Sequence, residues 1–288
     1  MSRLPNFLII GAMKSATTTL YDQLLQQPGI FMPELKEPNF FSDDPQYRRG
    51  ADWYENLFEA AKPSDLVGEA STHYTKLPTY PQTVARMRKA LDHPRLIYVM
   101  RHPVDRMVSQ YVHQWSEHEI RCDIDEAVTR YPELAAYSLY AAQLQPYIDT
   151  YGKDAILPVF FDRLKDFPQE ELERVCRFIG YKGPVQWKTD LGPDNVSSQR
   201  VRRFPLYSLL VESPVATALR RTLVPKELRT RIRQFFSMTK RPVLSEKTER
   251  NLEKVFDADL AVLGSWLGAK LTCENFCAVT SSTSLEWK

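Results

Sequence analysis

Residues 7–27 read FLIIGAMKSATTTLYDQLLQQ. Phe7, Leu8, Ile9 and Ile10 form a short apolar run, the pattern of a buried parallel strand. Gly11 breaks the run, and Lys14 follows in the turn with Ser15, Ala16, Thr17, Thr18 and Thr19 behind it. Leu20, Leu24 and Leu25 then recur at helical spacing. A strand, a tight turn carrying a lysine, a hydroxyl cluster and a helix start together describe an anion cradle. Free N–H groups and the positive end of the helix dipole face such a turn, and the lysine adds a full charge. The competing reading is an ordinary β–α turn whose threonines cap the helix. The Walker A pattern G-x-x-x-x-G-K-[ST] is not met, because counting from Gly11 its second glycine falls on Ala16 and its lysine on Thr17.

Working outward, a chain of 288 residues allows one large domain or two modest ones. Its net charge of +2 is no polyelectrolyte signal, so nucleic acid is not expected as a partner. Cys122, Cys176, Cys273 and Cys277 are too few and too scattered for a disulfide framework, and no His-Cys cluster near the last two supports a zinc site. No metal is expected. MSRLPN leads into the first strand without a signal pattern, and no apolar run approaches the ~18 residues of a membrane span. The expectation is a reducing, cytoplasmic location.

Beyond the first helix, Pro28 to Asp44 reads as a loop containing KEPNFF, in which Pro38 restricts Glu37 to an extended backbone. Helices are expected around 51–61, 80–91, from Pro103 onward, over 134–151 and over 170–179; strands at 66–69, 96–100 and 155–161. Alternation of this kind predicts an α/β fold with a central, mainly parallel β-sheet flanked by helices. Ligands bind such sheets beyond the carboxyl ends of the strands, and Lys14, Glu69 and Arg101 all stand at or just past such ends. Between Arg200 and Arg241 there are eleven Arg or Lys against Glu212 and Glu227, either a solvated helix face or a surface toward an acidic ligand. Residues 244–267 return to helical periodicity, and the tail after Leu271 is poorly patterned and expected to pack loosely.

Four motifs in order resemble one family. FLIIGAMKSATTTL resembles the 5′-phosphosulfate loop of sulfotransferases that use 3′-phosphoadenosine 5′-phosphosulfate (PAPS). RHPVDRMVSQY resembles their 3′-phosphate motif, with Arg101 and Ser109 at its spacing. KEPNFF resembles the Lys-Glu-x-x-Phe-Phe segment of the heparan sulfate and related bacterial branch, and Tyr140 to Leu164 looks like that branch's helix and following strand. The resemblance spans roughly residues 5–268. It implies a single sulfotransferase domain over 1–288: a P-loop-like three-layer α/β core at about 5–184, a basic segment covering cofactor and acceptor at about 185–243, and a C-terminal helix at 244–268.

The resemblance also implies the roles. PAPS presents two anionic ends and needs two anion sites. Lys14, Ser15, Ala16, Thr17, Thr18 and Thr19 would form the first, and Arg101 with Ser109 the second, an arginine fork suiting a phosphate. Ser198, Arg200 and Arg202 resemble the late loop that closes over the 3′-phosphate and adenine. Lys14 would stabilise charge developing on the leaving phosphate, Glu37 is the candidate base, and His73 is the rival base, being better matched to neutral pH. Structural readings compete: Arg101 paired with Asp105, and Glu37 paired with Lys36 on a surface loop.

Two departures stand out. Ala16 replaces a glycine common in the family, and Ala70 replaces the lysine that heparan-type enzymes carry after the glutamate, which argues against a highly sulfated polysaccharide. The expected acceptor group is a hydroxyl, or an amine, of a small molecule, glycolipid or carbohydrate. Peripheral membrane contact through the basic stretch stays open, and no oligomeric state is implied. The alternatives are a P-loop-type small-molecule kinase, for which no Walker B aspartate is visible, and a non-catalytic binder of PAPS or a sulfated ligand.

Overall fold

The computed structural model describes residues 4–191 and 241–288. Its strands are β1 (Phe7–Gly11), β2 (Ile30–Phe31), β3 (Leu66–Ala70), β4 (Arg95–Met100) and β5 (Ile156–Phe160). They form one sheet in the order β2-β3-β1-β4-β5, and every pairing is parallel. The chain runs from β1 out to β2 and β3 and then crosses back to β4. The order therefore reverses at β1, which is where a crevice opens in sheets of this kind.

The helices in chain order are α1 (Thr17–Leu25), α2 (Asp44–Tyr47), α3 (Ala51–Asn56), α4 (Thr83–Ala90), α5 (Pro103–Ser116), α6 (Ile124–Arg130), α7 (Glu133–Ala136), α8 (Tyr140–Tyr151), α9 (Phe161–Asp166), α10 (Pro168–Phe178), α11 (Glu246–Leu267) and α12 (Phe276–Ser282). The strands are apolar on both faces. Leu8, Ile10, Leu96, Tyr98 and Met100 join one core cluster, with α3, α5, α8 and α11. Phe7, Ile9, Ile97, Val99 and Val159 join the other, with α1 and α10. The period of two along each strand thus divides a continuous apolar run between two helical layers.

Some expectations need correcting. The helix expected over 134–151 is two, because the chain turns around the buried guanidinium of Arg106. That group donates to Ser138 Oγ at 2.5 Å and to the Leu134 carbonyl at 2.7 Å, and Ser138 Oγ donates to the Pro103 carbonyl at 2.9 Å. The α8 start is then capped from a distance: Asp259 accepts from the amides of Ala141 and Ala142 at 2.9 and 3.0 Å. The tail does not pack loosely. Phe276 on α12 is fully buried against Phe160 and Tyr140, and Trp287 Nε1 donates to the Ile156 carbonyl at 2.6 Å. Its few apolar residues lack a helical period, yet Cys273, Phe276 and Leu285 fill core slots, with Val279 and Trp287 packed against them.

The end of β1 is built around a bulge. Ile9 pairs with Ile97 and Gly11 with Tyr98, so Ile10 is an extra residue against β4. Thr75 Oγ1 donates to the Ile10 carbonyl at 2.8 Å. Gly11 has φ +153, and a Cβ there would stand 2.0 Å from Thr75 Oγ1 and 2.9 Å from the Tyr98 ring. Gly11→Ala is expected to destabilise the fold by roughly 2–4 kcal/mol through overpacking, read as a lower midpoint in urea unfolding.

Candidate active site

The turn after β1 is wound from left-handed residues: Lys14 has φ 68 and Ala16 has φ 65. Backbone of this kind gathers amides into a concave nest. Ala16 stands in the N-cap position of α1 and supplies no side-chain cap, so the amides of the first turn have no intrahelical partner and no cap from that residue. The threonines begin the helix rather than cap it. Ser15 is fully buried, and its Oγ has no hydrogen-bond partner among the described residues. The left-handed φ also explains why a glycine suits position 16: the cost of Ala16 is conformational rather than one of approach.

Arg101 stands directly beyond β4, next to this turn. Its Nη1 donates to the Lys14 carbonyl at 3.5 Å, and its guanidinium lies 4.7 Å from the centre of the Phe161 ring. Its Nε is buried without a partner among the described residues. Tyr140 Oη holds the backbone, accepting from the Arg101 amide at 3.2 Å and donating to its carbonyl. The alternative pairing with Asp105 is not the one observed, since Asp105 accepts from Arg241. Ser109 lies six residues past Pro103 on α5, about 9 Å along the axis, and is 6% exposed. His102 Nε2 bonds the Cys273 carbonyl at 2.9 Å and serves the packing of the tail.

Glu37 is brought to the same end of the sheet. Its amide donates to the Ala70 carbonyl at 3.1 Å, at the end of β3, and its φ of 61 is left-handed, not the extended backbone expected before Pro38. Thr72 Oγ1 donates to its carboxylate at 2.9 Å, and the Lys36 ammonium lies 3.4 Å from its other oxygen. The Lys36 pair therefore exists, but on a carboxylate that is also tied to β3. His73 Nδ1 is 2.9 Å from Asp43, which makes it the protonated nitrogen and leaves Nε2 with a lone pair. The ring stacks on Tyr80 with centroids 4.9 Å apart. Burial lowers the His73 pKa and Lys76 lowers it further, against Asp43 and Glu37, so the ring is neutral at neutral pH.

Sequence reasoning put Glu69 at a strand end beside Lys14 and Arg101 but missed that it holds this corner together. Glu69 is fully buried, and its carboxylate accepts from Tyr54 Oη, from Tyr74 Oη at 3.1 Å and from Ser71 Oγ at 2.5 Å. Ser71 Oγ in turn accepts from the Asn39 amide at 3.0 Å, two residues past Glu37. A carboxylate inside the apolar strand LVGEA was the available signal. Lys76 was missed too, and nothing in its local sequence marks it. It is 8% exposed, and burial pulls its ammonium down to about 8 with Glu37 the strongest opposing charge.

Lys14, His73 and Arg101 thus belong to the turns at the carboxyl ends of three adjacent strands, β1, β3 and β4, and Glu37, on the loop after β2, is tied to the end of β3. Ser198, Arg200 and Arg202 lie outside the described residues. A cleft of about 440 Å³ lined by Arg88, Asp92, Arg95 and Tyr151 sits at the amino end of β4 and contains none of the predicted residues.

A family model described as a sulfotransferase domain matches residues 4–260. The chain belongs to the sulfotransferase family. That membership sets aside the small-molecule kinase. Membrane-associated sulfotransferase kil1 of Dictyostelium discoideum is 38% identical over 111 residues, 38% of this chain and 22% of that protein. Heparan sulfate glucosamine 3-O-sulfotransferase 3B1 of Mus musculus is 30% identical over 192 residues, 62% of this chain and 47% of that protein. The matched regions therefore span less than half the length of these two relatives. A sulfotransferase from Alicyclobacillus acidocaldarius shares the P-loop-like α/β fold with a TM-score of 0.66 at 24% identity, over 93% of this chain and 98% of that one. Among the described residues no helix is long and apolar enough to cross a membrane.

Burial raises the Glu69 pKa from its usual 4.5 to about 7, against its hydroxyl donors. The folded state then binds this proton more tightly than the unfolded chain, so its contribution is full below pH 4.5 and is lost as pH rises through about 7. The shift corresponds to stability on the order of 3 kcal/mol. Glu69→Gln is expected to flatten the fall in stability across that window; a variant whose urea midpoint tracks the parent's at every pH would remove Glu69 from this role.

Proposed function

We propose that the chain transfers the sulfuryl group of PAPS to a hydroxyl of a small-molecule, glycolipid or carbohydrate acceptor by in-line displacement. The observation that carries the reading is the pairing of two incomplete cation sites across β1 and β4. Among the described residues, the Ser15 hydroxyl of the Lys14 turn and the Nε of Arg101 are buried without a partner, and the helix start has no side-chain cap. Each such donor costs roughly 1–3 kcal/mol while unsatisfied, and an anionic oxygen offsets that cost. In this reading Lys14, Ser15, Ala16 and the amides of Thr17, Thr18 and Thr19 hold the phosphosulfate, and Arg101 with Ser109 holds the 3′-phosphate. Ser198, Arg200 and Arg202 close over the nucleotide, and residues 1–288 act as a single domain. PAPS supplies an activated sulfuryl group on a phosphate leaving group.

The chain's own residues do the rest. Lys14 and the helix start stabilise charge on the departing phosphate oxygen. Glu37 takes the acceptor proton as the sulfuryl bond forms, oriented by Thr72 and by its amide on Ala70. Asp43 fixes His73 in the tautomer that can accept from an acceptor hydroxyl, and we assign that ring to acceptor contact. Four free cysteines support a reducing, cytoplasmic setting.

Calorimetry with the product nucleotide 3′-phosphoadenosine 5′-phosphate (PAP) tests the donor side. The parent is expected to bind it, and Arg101→Ala to bind about tenfold to a hundredfold more weakly, the loss of a charged hydrogen bond. No binding by the parent would sink the reading. With labelled PAPS and an acceptor panel, Lys14→Ala is expected to lose about 10²–10³ in turnover and Glu37→Gln about 10²–10⁴. His73→Gln should raise KM more than it lowers kcat; the reverse pattern would move the base to His73. Donor binding without turnover on any acceptor would favour the non-catalytic binder.

A further inference from the structure

The last pair of the β4–β5 ladder is Met100 with Phe160, and Arg101 lies just past it. A single hydroxyl then serves both backbone groups of Arg101. Tyr140 Oη accepts from the Arg101 amide at 3.2 Å and donates its proton to the Arg101 carbonyl. Burial raises the Tyr140 pKa, so the phenol keeps that proton at neutral pH. The side chain of Arg101 is held more lightly. Its Nη1 reaches the Lys14 carbonyl at 3.5 Å, its guanidinium lies 4.7 Å from the centre of the Phe161 ring, and its Nε is buried without a partner among the described residues. The clamp on the backbone therefore fixes where the guanidinium starts.

Tyr140 opens α8 and is fully buried, its ring centroid 6.4 Å from that of Phe276. Phe276 stands on α12, past residue 260, where the family match ends. Its ring also meets Phe160, one residue before Phe161, at 5.9 Å, and His102, one residue after Arg101, at 6.1 Å. The bond from His102 Nε2 to the Cys273 carbonyl, at 2.9 Å, is a second tie between the tail and this turn. One aromatic side chain thus braces three neighbours of Arg101.

We propose that Tyr140 is the positioning residue of the 3′-phosphate site and that Phe276 holds it in place, which makes the tail beyond the family match part of donor binding. The inference rests on the sulfotransferase reading, in which Arg101 meets the 3′-phosphate, and goes beyond it by naming what aims that arginine. Two parallel bonds from a guanidinium fork to a phosphate tolerate displacement on the order of 0.5 Å. Tyr140→Phe keeps the ring that packs on Phe276 and removes only the hydroxyl that both backbone groups of Arg101 share.

A double-mutant cycle read by calorimetry with PAP tests this on the full chain. Tyr140→Phe is expected to bind PAP about tenfold more weakly than the parent, the scale of one hydrogen bond. In an Arg101→Ala background the same substitution should cost nothing further, because the residue it positions is gone. Phe276→Leu should show the same dependence on Arg101 with a smaller loss, about threefold. A general structural defect would weaken PAP equally in both backgrounds, and that result overturns the inference, as does parent-like binding by either variant. Absence of PAP binding by the parent instead strikes the sulfotransferase reading itself. If Tyr140→Phe does not fold, Phe276→Leu in the two backgrounds decides.

Discussion

The carboxylate of Glu69 is the contact on which the candidate active-site corner depends. It is buried in the last turn of a central strand, where an ionised group pays heavily for leaving water. Three hydroxyls from Tyr54, Ser71 and Tyr74 offset that cost, and each belongs to a different structural role. Tyr54 packs α3 onto the sheet, Tyr74 anchors the segment after β3, and Ser71 carries the tie onward to Asn39 and so to the loop that presents Glu37. A carboxylate on a loop is placed only as well as its supports, and here the support is a satisfied polar network rather than apolar packing alone.

The parallel sheet does the remaining positioning. Because all four strand pairings point the same way, the turns after β3, β1 and β4 open on one edge, and chemistry drawn from distant stretches of chain converges there. The bulge at Ile10 turns the end of β1, and Gly11 leaves the space that Thr75 fills. Thr75 thus joins the segment carrying His73 and Lys76 to the strand carrying the Lys14 turn.

Much of this was legible beforehand, and the reason is locality. The run FLII, the glycine, the lysine and the leucines at helical spacing are all set by near neighbours, so strand, turn and helix followed from residues 7–27. The parallel sheet followed from repetition of that pattern. What stayed hidden depends on contacts between residues far apart. The break between α7 and α8 comes from Arg106 on another helix, the order of the tail from Phe276 meeting β5, and the hub at Glu69 from hydroxyls at positions 54, 71 and 74. Lys76 reads as one more surface lysine until its burial is known. The left-handed backbone of Glu37 also defied a local rule, since the residue before a proline ordinarily avoids it.

The bond from Arg101 to the Lys14 carbonyl has a geometric consequence. It joins Arg101, just past β4, to the turn after β1 at 3.5 Å, and its acceptor is a main-chain atom that stays in place whatever side chain stands at position 14. The separation between the sites is then a property of the sheet and not of the ligand. In the proposed function, a molecule with anions at both ends meets two turns whose spacing is set by neighbouring strands of one sheet.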